Sequence, residues 1–323
     1  MKQTRREFVR SLFVASQAAL VTGSFPSSLQ AAATLLEPAD LPASLNVIVF
    51  GDWGRNGQSD QVEVAAQMAL ASQKNQTRFV LSVGDNFYEH GVASAEDPQW
   101  QSSFEKVYHA PSLQIPWQVI LGNHDYHGNC EAQIAYGQTH PRWQMPARYY
   151  VKSCPVDAAT TADFFYLDTT PMIRAYHENA RTREAVGTQD VKKQIAWFES
   201  ALAASRAQWK IVIGHHPIYS GGEHGDTAEL VELILPLLQR YQVQAYFNGH
   251  DHDLQHLQAG SVNFFCTGAG SAVRPAVKAT EHTRFAKSCS GFTTVRIQAD
   301  RMQVEMIDLH GTRVYAAAVP RAS

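Results

Sequence analysis

Apolar runs bounded by glycine or other turn residues alternate along this chain with stretches of helical periodicity. The apolar runs are rich in β-branched and aromatic residues and predict buried strands at Leu45–Phe50, Arg78–Val83, Trp117–Leu121, Trp209–Ile213 and Val243–Phe247. Helical spacing of apolar residues predicts helices at Ser59–Ser72, Gln189–Ser205 and Ala228–Tyr241. Strands that alternate with helices of this length favour βαβ units and a largely parallel sheet.

The C-terminal part of the chain lacks this helical pattern. It predicts successive short strands at Asp253–Ala259, Val262–Cys266, Phe292–Gln298, Met302–Leu309 and Arg313–Ala318. An earlier hairpin is predicted to pair Arg148–Lys152 with Asp163–Asp168. We therefore expect a mixed sheet packed on a second sheet, with helices outside, in one domain that spans residues 45–318.

Residues 1–33 have the features of an export signal. The paired Arg5 and Arg6 precede an uncharged stretch, and Ala31–Ala33 supplies the small residues that a signal peptidase accepts. We expect a twin-arginine-type signal followed by a linker at residues 34–44, and an ordinary secretory signal with incidental arginines is the alternative. The expected location is periplasmic or secreted, with the twin-arginine export machinery as a partner and no stable membrane association after cleavage.

Composition and charge narrow the choice of partners. The apolar fraction of 45% and charged fraction of 18% are typical of a soluble globular protein. The net charge of −3 provides no basic field, so no nucleic-acid partner is expected.

The chain has four cysteines, at positions 130, 154, 266 and 289. In an oxidising compartment an even count is compatible with one or two disulfides, in three alternative full pairings. Cys130–Cys154 is favoured because both residues flank one surface excursion, but the sequence leaves the pairing open.

Each of the five main predicted strands is followed directly by a short segment that carries acidic, amide, phenolic or imidazole side chains. These five turn segments are Gly51-Asp52-Trp53-Gly54, Gly84-Asp85-Asn86-Phe87-Tyr88, Gly122-Asn123-His124-Asp125, Gly214-His215-His216-Pro217 and Gly249-His250-Asp251-His252. In an open α/β sheet, loops at the carboxyl ends of strands meet in one crevice. The sequence therefore predicts that the five turn segments form one site.

The ligand types in these segments predict two metal ions. Anionic oxygen comes from Asp52, Asp85 and Tyr88, a neutral oxygen from Asn123, and nitrogen from His215, His250 and His252. A hard trivalent ion prefers anionic oxygen, whereas a divalent first-row ion accepts imidazole and amide ligands. A central carboxylate can bridge two ions about 3.5–4 Å apart. His250 and His252, which are separated by one residue, could serve different ions.

The order of the five turn segments resembles that of the calcineurin-like metallophosphoesterases. Tyr88, at the end of its segment, narrows the resemblance to the purple acid phosphatases, and Gly84–Gly91, Ile134–Trp143 and Ser220–Gly225 are similar to the small, tartrate-resistant type. The resemblance extends from Asn46 to Leu309. It implies the α/β metallophosphoesterase fold, a four-layer αββα sandwich with two mixed β-sheets.

The resemblance also implies a role for each residue type in the site. Asp52, Tyr88 and His252 would bind Fe(III), and Asn123, His215 and His250 would bind a second metal, Fe(II), Zn(II) or Mn(II). Asp85 would bridge the two ions. His124 and His224 would lie beside the phosphate, where an imidazole can bind it and protonate the leaving alkoxide.

The function implied is that of an exported acid phosphatase. It would hydrolyse small phosphomonoesters with a metal-bridging hydroxide, with an acidic optimum and a violet colour. The alternatives are a phosphodiesterase or nucleotidase of the same superfamily, and a redox protein whose iron pair generates reactive oxygen species. The natural substrate is not indicated by the sequence.

Two further features remain open at this level. His215 matches the motif for a ligand better than its neighbour His216, which could tune the site or simply pack. The polar stretch Pro171–Thr188 lies where a loop could shield the metals, and it could equally be a surface excursion.

Overall fold

The computed structural model describes residues 43–274 and 277–321, and these form two seven-stranded mixed sheets. The first sheet has the strand order β14-β13-β12-β1-β2-β3-β4. Its strands are β1 (Leu45–Phe50), β2 (Phe79–Ser82), β3 (Trp117–Val119), β4 (Trp143–Gln144), β12 (Gly291–Ile297), β13 (Arg301–Asp308) and β14 (Arg313–Pro320). Strands β1 to β4 run parallel, whereas β12 pairs with β1 in the antiparallel sense.

The second sheet has the order β11-β9-β10-β8-β7-β6-β5. Its strands are β5 (Tyr150–Pro155), β6 (Thr161–Tyr166), β7 (Trp209–Ile213), β8 (Ala245–Asn248), β9 (Leu254–Ala259), β10 (Val262–Thr267) and β11 (Thr283–Lys287). Its centre, from β6 through β7 and β8 to β10, is parallel. Antiparallel strands close both edges.

Helices cover the outer faces of the two sheets. The α-helices of the described residues are α1 (Gln61–Asn75), α2 (Cys130–Thr139), α3 (Arg174–Glu178), α4 (Arg183–Gly187), α5 (Val191–Ala204), α6 (Ala228–Leu233) and α7 (Leu235–Arg240). Helix α1 packs on the first sheet through Val64 and Met68, and α5 packs on the second through Phe198 and Leu202.

The core consists of three apolar clusters separated by the two sheets. Because successive side chains of a strand point to opposite faces, Val47 and Val49 of β1 face the space between the sheets, while Ile48 and Phe50 face the outer layer. The third cluster lies between the second sheet and α5 to α7. This arrangement confirms the predicted αββα sandwich with two mixed sheets.

The predicted strands are largely confirmed. The predicted hairpin also forms, with its strands at Tyr150–Pro155 and Thr161–Tyr166. The predicted helix Ala228–Tyr241 is instead two short helices that meet at Ile234. Pro236 explains the break, because a proline has no N–H to donate inside a helix. The polar stretch Pro171–Thr188, interpreted from the sequence as a loop or surface excursion, contains α3 and α4.

The favoured Cys130–Cys154 disulfide is wrong. All four cysteines lie in the described part of the chain and all are free thiols. Cys130 belongs to the cluster outside the first sheet, whereas Cys154 lies in the cluster between the sheets. The two cysteines therefore flank one surface excursion in the sequence but lie in different clusters of the fold.

The expected signal at residues 1–33 and most of the linker at 34–44 lie outside the described residues. Among residues 43–274 and 277–321, no helix combines the length and apolar character needed to cross a bilayer.

We expect alkylation without reductant to label all four cysteines once the protein is unfolded. In the native state Cys289 should react first, because it is partly exposed and the other three are buried. Mass spectrometry of the labelled peptides measures both results. Isolation of a disulfide-linked peptide pair from unreduced protein would contradict the expectation.

Candidate metal centre

The five turn segments meet at the carboxyl ends of strands from both sheets. Those after β1, β2 and β3 come from the first sheet, and those after β7 and β8 come from the second. The Gly249 N–H donates to the His215 carbonyl and so joins the two segments of the second sheet. The His250 N–H donates to the Asp52 carboxylate and links these segments to the first sheet. The expected convergence therefore occurs across two sheets rather than along one.

Four donor atoms form a first group around Tyr88. The Tyr88 hydroxyl lies 2.9 Å from Asp52 Oδ1, 2.9 Å from Asp85 Oδ2 and 3.0 Å from His252 Nε2. His252 Nε2 lies 3.4 Å from Asp52 Oδ1. An octahedron with metal–ligand bonds of about 2.1 Å has edges of about 3.0 Å. These separations fit ligands that share one ion, and in the structure the Tyr88 hydroxyl makes hydrogen bonds at them.

A second group forms around the other oxygen of Asp85. Asp85 Oδ1 lies 3.5 Å from His215 Nε2, and that nitrogen lies 3.1 Å from Asn123 Oδ1. The ring of His250 lies 5.2 Å from that of His215, measured between centroids. The two carboxylate oxygens of Asp85 thus face different sets of donors, which is the geometry of a bridging ligand.

The electrostatics of the first group favour a cation. Burial and the neighbouring Asp52 and Asp85 carboxylates raise the pKa of the Tyr88 phenol well above its usual value. Like-charged oxygens brought this close repel one another when buried. A bound cation removes that repulsion, so the donor set fits a metal ion.

The second group suits a divalent ion with nitrogen ligands. Burial alone would lower the pKa of His215, but the adjacent Asp85 carboxylate raises it to about 9. Burial and the surrounding imidazoles lower the pKa of His250 well below its usual value. The neutral imidazole of His250 offers a free lone pair, as metal binding requires, whereas His215 would release its proton when a metal binds.

Backbone conformation brings these side chains together. Asp52, Asp85 and His250 have φ values of 61°, 50° and 70°, in the left-handed region that residues with a Cβ rarely adopt. Such strain concentrates at functional sites. Glycine is required next to them, because a Cβ at Gly122 would collide with the Asp85 carboxylate and one at Gly249 with that of Asp52.

His250 and His252 point to different groups, as expected, because the segment bends: in an extended strand, residues two apart would face the same side. His252 contacts Tyr88 in the first group, and His250 lies beside His215 in the second. The segment is a bend with a left-handed His250 rather than an extended strand.

His124 lies on the Tyr88 side of the site. Its ring is 4.4 Å from the Tyr88 ring between centroids, and its Nδ1 contacts the Glu89 carbonyl at 2.8 Å. Its side chain is 21% exposed, whereas Asp52 and Asp85 are almost fully buried. The imidazole is therefore accessible to a small molecule at the mouth of the site.

His224 lies on the opposite side, 4.0 Å from the His250 ring between centroids. Its Nδ1 contacts Asp251 Oδ1 at 2.8 Å, and the same carboxylate oxygen accepts its backbone N–H at 3.0 Å. Asp251 also accepts the Ser220 hydroxyl. Asp251 therefore holds both the loop and the ring orientation of His224, leaving Nε2 free.

His216 is buried and hydrogen-bonded at both ring nitrogens. Nδ1 contacts the Thr169 hydroxyl and Nε2 contacts the Tyr176 hydroxyl, each at 2.9 Å. Its ring lies 4.4 Å from that of His250. Since both nitrogens are engaged, His216 packs behind the second group, and Tyr176 of α3 connects the stretch Pro171–Thr188 to it.

Arg55 was missed by the sequence analysis, although it follows the first turn segment directly. Its guanidinium carbon lies 3.9 Å from the centroid of the Tyr88 ring. Asp125, expected to have a supporting role, accepts N–H groups from Asn86 and Gly122 and so holds two turn segments together.

Comparison with known proteins agrees with this arrangement. Residues 45–254 match the calcineurin-like phosphoesterase family. The chain is 38% identical to purple acid phosphatase 17 of Arabidopsis thaliana, over 85% of this chain and 84% of the relative. It is 35% identical to tartrate-resistant acid phosphatase type 5 of Rattus norvegicus, over 89% of this chain and 94% of the relative.

Solved structures share the fold. GAP50, described as the anchor in the inner membrane complex of Plasmodium, superposes with a TM-score of 0.78 at 24% identity, over 87% of this chain and 90% of that one. Purple acid phosphatase PPD1 from yellow lupin (Lupinus luteus) superposes with a TM-score of 0.65 at 16% identity, over 88% and 55%. Together with the sequence matches, these findings show that the chain belongs to the purple acid phosphatases, metal-dependent phosphatases of the calcineurin-like phosphoesterase family.

Proposed function

We propose that this protein is an exported acid phosphatase that hydrolyses small phosphomonoesters at a binuclear Fe(III)–M(II) centre, where M is Fe, Zn or Mn. Asp52, Tyr88 and His252 would bind the ferric ion. Asn123, His215 and His250 would bind the divalent ion, and Asp85 would bridge them. The family implies a binuclear centre that contains iron.

The observation that supports the proposal most directly is the placement of the Asp85 carboxylate. One oxygen lies 2.9 Å from the Tyr88 hydroxyl and the other lies 3.5 Å from His215 Nε2. A carboxylate so placed contacts both donor groups at once. When bound, the metal pair supplies positive charge that stabilises the phosphoryl oxygens and activates water for attack.

His124 and His224 would act on the substrate from opposite sides of the metal pair. Both imidazoles are partly exposed, at 21% and 35% for their side chains, whereas the candidate ligands other than His250 are buried. His224 presents Nε2 because Asp251 occupies Nδ1, and an imidazole held in this way can donate a proton to a leaving alkoxide.

The proposal includes export through the twin-arginine pathway. It rests on Arg5 and Arg6, which precede an uncharged stretch that ends in small residues. Export of a folded chain would allow metals to be loaded before the protein leaves the cytoplasm.

The test of this function is purification without added metal, followed by elemental analysis, a visible spectrum and rates on an aryl phosphomonoester and its diester. We expect one iron and one further metal, or two irons, per chain, a broad absorption band in the green and faster monoester hydrolysis. A colourless protein with a single zinc would refute the iron centre. Faster diester hydrolysis would support a phosphodiesterase instead, and peroxidase activity without phosphatase activity would support the redox alternative.

Replacing Tyr88 by Phe should abolish the violet colour, because the substitution removes the phenol oxygen and keeps the ring. Iron content should also fall, since the donor set loses one anionic ligand. Tyr150→Phe is the matched control: its buried hydroxyl contacts the Val119 backbone, away from the candidate ligands. A violet Tyr88→Phe variant would show that another residue supplies the colour.

Replacing His224 by Ala should lower turnover by about 10²–10⁴-fold, the usual contribution of an acid–base group. Metal content should not change. The Asp251→Asn variant should lower turnover by about 10–100-fold, as expected for a residue that orients another. His124→Ala should also lower turnover without loss of metal.

The double variant of His224→Ala and Asp251→Asn tests whether Asp251 affects turnover by positioning His224 or independently of it. If Asp251 acts through His224, the double variant should be no slower than His224→Ala alone. Asp253→Asn is the control, because that carboxylate accepts from Gln255 and does not contact His224. If the fold-loss in turnover of the double variant equals the product of the two single fold-losses, the positioning role of Asp251 is contradicted.

A further inference from the structure

Arg55 is held rigidly against Tyr88 by contacts at three points. Its guanidinium carbon lies 3.9 Å from the Tyr88 ring centroid. Its Nη1 donates to Glu89 Oε1 at 2.8 Å, and its Nε donates to the Ser271 hydroxyl at 3.1 Å. Ser271 in turn donates to the Asp52 carbonyl at 2.6 Å. The guanidinium is therefore tied to the backbone of one candidate ligand while it covers the ring of another.

This placement leaves the positive charge only partly neutralised. The Arg55 side chain is 20% exposed, whereas Glu89, its ion-pair partner, is 58% exposed. Water screens an exposed carboxylate more than a sheltered guanidinium that rests on a buried ring. The face of the Tyr88 ring that Arg55 covers therefore has a positive charge at short range. A cation within about 6 Å of an aromatic ring interacts with its π electrons.

We propose that Arg55 tunes the metal centre through Tyr88, by lowering the energy of the ring electrons that the phenolate donates to iron. This inference rests on the proposed function, in which Tyr88 binds the ferric ion. With Tyr88 bound to ferric iron, the violet band would come from charge transfer out of the phenolate, whose ring lies 3.9 Å from the Arg55 guanidinium carbon. The cation stabilises the ground state more than the excited state, so it shifts the band to shorter wavelength.

The same charge affects the reduction potential of the iron. A fixed cation close to the centre favours the uptake of an electron, so it raises the potential. Arg55 thus acts as a tuning residue, with no contact to the substrate required. Its partner Glu89 has the opposite effect, because its negative charge offsets part of that of Arg55.

The test compares Arg55→Met, Arg55→Lys and Glu89→Gln by visible spectroscopy and by the reduction potential of the metal-loaded protein. Arg55→Met removes the charge and should shift the band to longer wavelength by on the order of 10 nm, with a lower potential. Arg55→Lys keeps the charge without the planar stacking and should lie between Arg55→Met and the wild type. Glu89→Gln should move both quantities in the opposite direction to Arg55→Met.

Arg142→Met is the matched control. Arg142 also covers an aromatic ring, at 4.0 Å from Phe104, and pairs with Glu105 at 3.1 Å, but its contacts lie in the cluster outside the first sheet. The band of this variant should match that of the wild type. A shift as large as that of Arg55→Met would contradict the inference, since it would reflect general destabilisation.

The outcomes separate the inference from the proposed function. A violet wild type with an unchanged band in Arg55→Met at full iron content would refute the tuning role and leave the proposed function intact. A colourless wild type without iron would refute both. If Arg55→Met does not fold, Glu89→Gln decides: a shift to shorter wavelength supports the inference, and an unshifted band refutes it.

Discussion

The rest of the structure depends on how two buried carboxylates, Asp52 and Asp85, are held against the phenol of Tyr88. Asp52 Oδ1 and Asp85 Oδ2 each lie 2.9 Å from the phenol oxygen, in an almost fully buried position. Burial of like charges without compensation is costly. Positive charge supplied at this point reverses the sign of the interaction. The Asp85 carboxylate then couples this group of donors to the imidazole group beside it.

The sandwich of two sheets holds these oxygens in place. The turn segments that carry them follow short parallel strands in each sheet, and buried hydrogen bonds join the segments across the gap. Asp52, Asp85 and His250 adopt left-handed backbone conformations. The apolar clusters on both sides of each sheet supply the stability that offsets this local strain.

Residues outside the candidate ligand set determine how the site is used. Asp251 orients His224, and Tyr176 and Thr169 fix both nitrogens of His216 behind His250. Arg55 covers Tyr88 from a position that no ligand motif would suggest. These residues differ in chemistry, but each contacts a side chain that lies closer to the candidate metal site than it does itself.

The sequence by itself determined most of the strands and the candidate ligands, because apolar runs and the polar segments that follow them are local patterns. The two-residue strand Trp143–Gln144 and the edge strand Thr283–Lys287 were not predicted, since pairing partners distant in the chain define them. Only the tertiary structure decided that Cys130 and Cys154 lie in different clusters, that Arg55 stacks on Tyr88, and that Asp85 faces both donor groups. The reason is that each of these features depends on the direction in which a side chain points after the sheets have packed. The spacing of residues along the chain does not specify that direction.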